Sequence, residues 1–148
     1  MLNIDINRLT DICLEYQQSR FYVGRIPDDF LSIAKKRFSI PKDDQIIAFL
    51  DTSVLGNLSK GSDGVLICQS GIYFRETFVH LYFPWHVFRN IPITLVSNEL
   101  EIGKGNIFHL QHARMPSQEI LLFIKNLKQH VNSLYEENKG SVAKFFYT

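Results

Sequence analysis

The sequence predicts an α+β protein, mainly β: seven antiparallel strands curled into a barrel or sandwich, two helices ahead of them and one amphipathic helix closing them. Three observations carry that prediction. Between Ile46 and Leu110 the apolar residues fall in short runs separated by turn residues. The turns joining most of these runs are close, which favours an antiparallel meander. Before Pro41 and after Ser117 the apolar residues instead recur every three or four positions, the helical period.

In the first segment Ile6, Leu9, Ile12, Cys13 and Tyr16 line one face of a helix over about residues 3–18. SRFYVGR then reads as a linker. Pro27 stands where a second helix starts, with Asp28 and Asp29 in its first turn favourable to the helix dipole. Phe30, Leu31, Ile33, Ala34 and Phe38 make its apolar face, and it stops before Pro41.

IIAFLDT (46–52) is a strand, followed by the loop SVLGNLSKGSDG. VLIC and IYFR flank Gln69-Ser70-Gly71, a three-residue turn in which Gly71 supplies positive φ. FVHLYFPW (78–85) alternates and ends at a proline. IPITLVS (91–97), ELEIG (99–103) and NIFHL (106–110) complete the set, joined by Ser97-Asn98 and Gly103-Lys104-Gly105. Ser117 caps a helix carrying Ile120, Ile124, Leu127, Val131 and Leu134, widened by Leu121 and Phe123 and stopped at Gly140. Burying each of these side chains contributes about 1.5–3 kcal/mol, so the helix must lie on the sheets. The tail SVAKFFYT reads as an added strand, a clamp over an open edge or a contact with another subunit. The organisation is a helical extension (1–40), a β-rich domain (41–138) and a tail (139–148) in one globular unit.

IPKDDQIIAFLDTSVLG, DGVLICQSGIYFRE and FPWHVF, in this order of elements, resemble the bacterial branch of the pleckstrin-homology-like (PH-like) superfamily, over roughly residues 26–136. The resemblance implies a binding or assembly module with no chemistry of its own, and symmetric oligomers in some relatives. The chain departs from lipid-binding members at one place. Its loop DTSVLGNLSKGSD offers only Lys60, opposed by Asp51 and Asp63, so phosphoinositide recognition is not carried over.

Composition narrows the function classes. Sixteen basic and fifteen acidic side chains give a net charge of +1, with no single-signed field to attract nucleic acid. No apolar run approaches the roughly 18 residues of a transmembrane span. The N-terminal MLNIDINRLTDICLEY lacks the basic start and apolar block of a secretory signal, so the cytoplasm is the expected location. Cys13 and Cys68 sit within apolar patterns and read as buried hydrophobes. Ser70 lacks the G-x-S-x-G elbow, and GSDG lacks the G-K-[ST] ending of a phosphate loop. His109 and His112, three apart on a strand, point to opposite faces and cannot chelate together. His80 and Tyr82 share one strand face and read as a half-exposed polar surface. No catalytic site, metal or cofactor is expected.

In a meander, alternate turns fall at one end. That gathers Lys60, Arg75, His112 and Arg114 on one rim, where arginine could hold a carboxylate or phosphate in bidentate fashion. The leading expectation is a non-enzymatic module acting through a protein partner or through itself. A small immunity or inhibitor protein neutralising a toxin is the alternative, and a binder of a small anionic ligand or lipid at the rim is the third.

Overall fold

The computed structural model describes residues 4–54 and 61–147, with 138–147 described by backbone alone. Among the described residues the elements run α1 (Ile6–Leu14), β1 (Phe21–Val23), α2 (Asp28–Phe38), β2 (Ile46–Asp51), β3 (Gly64–Cys68), β4 (Gly71–Glu76) and β5 (Val79–Pro84). The second half continues with α3 (Trp85–Phe88), β6 (Ile93–Val96), β7 (Glu99–Ile102), β8 (Asn106–Phe108) and α4 (Ser117–Tyr147). All ladders are antiparallel, in a five-stranded sheet ordered β1-β2-β3-β4-β5 and a three-stranded sheet ordered β6-β7-β8.

Of the expected barrel or sandwich, the barrel is corrected: among the described residues the strands form two separate sheets and do not close. Pro84 ends the β5 ladder, and Trp85, expected to end that strand, instead opens α3, which carries the chain across. Phe74 of β4 meets Phe108 of β8 edge-on at 5.7 Å, tying one sheet to the other.

Period-two alternation sorts the five-stranded sheet into two faces. Phe21 and Val23, Val65 and Ile67, and Ile72 and Phe74 point into a large core shared with α1, α4 and the three-stranded sheet. Phe49, Leu66 and Cys68 point the other way, into a smaller core under Ala34 and Phe38 of α2. This double burial explains why VLIC and IIAFL are continuously apolar, with no polar alternation. The pairing of β2 with β3 shifts between Ile46 and Ala48, and Ile47 and Ala48 both join the large core, as a β-bulge allows.

Three local expectations change. SRFYVGR is no linker. Its Phe21–Val23 pairs with β2, a strand too short for its own alternation to stand out in the sequence. The connection after β3 is only Gln69-Ser70, and Gly71 does not have positive φ. Glycine is required there by close approach, since a Cβ would lie 2.2 Å from the Phe83 carbonyl oxygen. α4 runs through Gly140 to Tyr147, so the tail is not an added strand. A helical glycine costs only about 1 kcal/mol against alanine, too little by itself to end a helix.

The caps follow ordinary chemistry. Asp5 Oδ1 accepts from the Asn7 amide at 2.9 Å ahead of α1. Ser39 takes the left-handed conformation (φ 54°) after α2, whose last turn holds Lys35, Lys36 and Arg37 against the dipole. No helix among the described residues is long and apolar enough to cross a membrane.

Candidate functional site

Of the four residues expected at one rim, Lys60 lies outside the described residues. The rim itself forms. Glu76 at the end of β4 accepts from the His109 amide at 3.0 Å and from His109 Nδ1 at 2.7 Å. Glu99 accepts from the Leu110 amide at 3.0 Å, and Ser117 Oγ donates to the Asn98 carbonyl at 2.7 Å. The hydrogen bond to Glu76 raises the His109 pKa above its ordinary 6.5. The side chains drawn together there are thus carboxylates and a histidine.

His112 and Arg114 follow β8 in the segment before α4, His112 within 3.3 Å of Gln111 Nε2 and Arg114 exposed. Among the described residues no hydrogen bond or ion pair joins either to Arg75. Alternation turns Arg75 to the opposite face of the sheet, with Tyr73, because its neighbours Phe74 and Glu76 face the large core and the rim. There Arg75 Nη1 lies 2.5 Å from His80 Nδ1. A guanidinium only donates, so Nδ1 accepts and the imidazole proton sits on Nε2. Burial, and then the nearness of Arg37, lower the Arg75 pKa from its ordinary value.

The outer face of the β4–β5 hairpin carries a connected polar network. Tyr73 and Tyr82 face each other across the two strands, ring centroids 4.3 Å apart and planes 33° apart. Asp44, just ahead of β2, anchors their tips. Its Oδ1 accepts from the Ser70 amide at 3.1 Å, and its Oδ2 accepts from the Ser70 hydroxyl and from the Tyr73 hydroxyl at 3.4 Å. Tyr82 donates to Ser70 Oγ at 2.8 Å. Burial first, with the Asp44 carboxylate adding to it, pushes the Tyr73 phenol up, so it remains a donor. Ser70 therefore gives its one proton to Asp44 and accepts from Tyr82.

Two hollows flank this tyrosine pair. At one end a cleft of about 390 Å³ opens between Pro41, Tyr82, Pro84, Trp85 and Tyr135, with Asp43 and Asp44 on its border. At the other a pocket of about 230 Å³ lies between Ser39, Arg75, His80 and Tyr82. Beyond it, the hairpin tip Thr77-Phe78 holds Phe78 at 92% exposure.

Cys13 and Cys68 are free, and each is buried in a different core. Burial pushes the Cys13 thiol up to about 12 and, with the Asp44 charge, pushes the Cys68 thiol up as well. Among the described residues no group of three or more His, Cys, Asp or Glu is placed to hold a metal ion.

Sequence reasoning missed Asp44 and the role of Ser70, which are 26 residues apart in the chain and meet only through the pairing of β2 with β3. The signal that was present is the shared face of His80 and Tyr82. Compared with protein-family models, curated proteins and solved structures, the chain matches none.

Proposed function

We propose that the chain is a non-enzymatic binding or assembly module that acts through protein–protein contact at the outer face of the β4–β5 hairpin. One observation carries the reading. The sheet's terminal strand runs from a phenylalanine 92% exposed at the hairpin tip to an aromatic cleft at its other end. A lone exposed apolar side chain is ordinary. One set beside an open strand edge is a template for another chain, because backbone pairing and apolar burial are available together. The PH-like resemblance read from the sequence implies the same kind of role.

Light scattering of the parent and of Phe78→Ser, followed by recovery of partners from lysate, tests the reading. The parent forms an oligomer or retains a partner, and the variant loses it. A strict monomer with no partner, or a variant that keeps everything the parent holds, sinks the idea.

Arg75 favours a second reading, the holding of a small anion. Its Nε is buried without a partner, beside the smaller pocket. Calorimetric titration with inorganic phosphate, comparing the parent with Arg75→Ala, decides. No binding by the parent, or equal binding by both, removes it.

A further inference from the structure

We infer that the partner of this face is a second copy of the same chain, joined through the edge of β5 about a two-fold axis. The inference rests on the assembly reading above and gives it an occupant.

The backbone supplies the first argument. Glu76 and Val79 close the hairpin around the hydrogen-bonded turn Thr77-Phe78. Alternation along an antiparallel pair then assigns the bonds to β4 to Leu81 and Phe83, and turns the N–H and C=O of His80 and Tyr82 away from β4. Pro84, next in that series, has no N–H to leave open, which is why an edge strand tolerates it. Among the described residues no backbone hydrogen bond reaches β5 on that side. Two such edges are complementary when antiparallel. His80 of one copy stands opposite Tyr82 of the other, each pair exchanging both its bonds, with the axis at Leu81.

The side chains fit the same register. It sets Phe78 of one copy against Pro84 of the other, at the mouth of the cleft of about 390 Å³. A two-fold interface must be self-complementary, so a knob at one end of the strand needs its hole at the other. Charge follows the same polarity. Asp43 and Asp44 border the cleft end, while Arg75 and Arg37, with Asp63 the one acid beside them, leave the tip end net basic. Antiparallel pairing turns each acidic end toward the other copy's basic end.

Sedimentation of the full chain should give a particle of twice the 17.2 kDa chain mass, weakening as salt screens the facing charges. Phe78→Ser should raise the dissociation constant by about 100-fold, since two anchors are lost per dimer, while keeping the parent's circular dichroism. Register is read by mixing His80→Cys chains with Tyr82→Cys chains under mild oxidation. A covalent dimer should form in the mixture and not from either variant alone. A parent that stays monomeric, or single variants that cross-link as readily as the mixture, overturns the inference. A monomer whose lysate partners are lost in Phe78→Ser overturns the second copy and keeps the assembly reading. A monomer that recovers none removes both.

Discussion

Arg20 sits in the left-handed region (φ 66°) between α1 and β1, and its guanidinium reaches the wholly buried Asp51. Nε donates to Asp51 Oδ2 at 3.0 Å, Nη2 to the same oxygen and to the Ser53 carbonyl at 3.1 Å, and the Ser53 amide donates to Oδ1 at 3.0 Å. Removing the cation leaves a buried carboxylate uncompensated. Arg20→Ala should therefore cost about 3–5 kcal/mol by urea titration, while an apolar replacement of both partners should cost less. His109 is a pH-dependent residue of the opposite exposure. Its folded pKa is raised, so its bond to Glu76 contributes fully below the free value of 6.5 and loses its charged part as pH rises through the folded value. The melting-temperature deficit of His109→Gln should be larger just below 6.5 than in alkaline buffer. His130 has the reverse sign. Burial, with Arg8, lowers its pKa, so its contribution is full above 6.5 and is lost as pH falls through the folded value.

At the scale of elements, what the sequence made legible followed periodicity. The helical face of Ile120, Ile124, Leu127 and Val131 is wholly buried, and the seven expected strands all form. What stayed hidden was set by partners distant in sequence. β1 exists because β2 offers it a ladder, and α3 exists because Pro84 breaks one. Of the candidate site, the sequence made legible the shared face of His80 and Tyr82, read as a half-exposed polar surface, and Asp44 stayed illegible because no local pattern encodes its position. The hairpin joining β6 and β7 was legible for a local reason. Ser97 and Asn98 both adopt positive φ (51° and 64°), the primed turn that matches strand twist. Replacing the pair by Asn-Gly, which prefers that geometry, should raise stability by about 0.4–1 kcal/mol in thermal melts. The Asn98 carbonyl that receives Ser117 belongs to the backbone and survives the change.

On the scale of the whole molecule, the five-stranded sheet is a partition. α1, α4 and the second sheet cover one side, and α2 alone brings a helix to the other. Cys13 lies in the first layer and Cys68 in the second, so each thiol is a gauge of its own compartment. A thiol reagent reaches either one only when that layer opens. The α2 layer holds the fewer buried side chains, so it should open more often. Brief labelling under native conditions, read by mass spectrometry, should therefore modify Cys68 ahead of Cys13. Equal rates would mean that both layers part together, with the partition transmitting every opening from one side to the other.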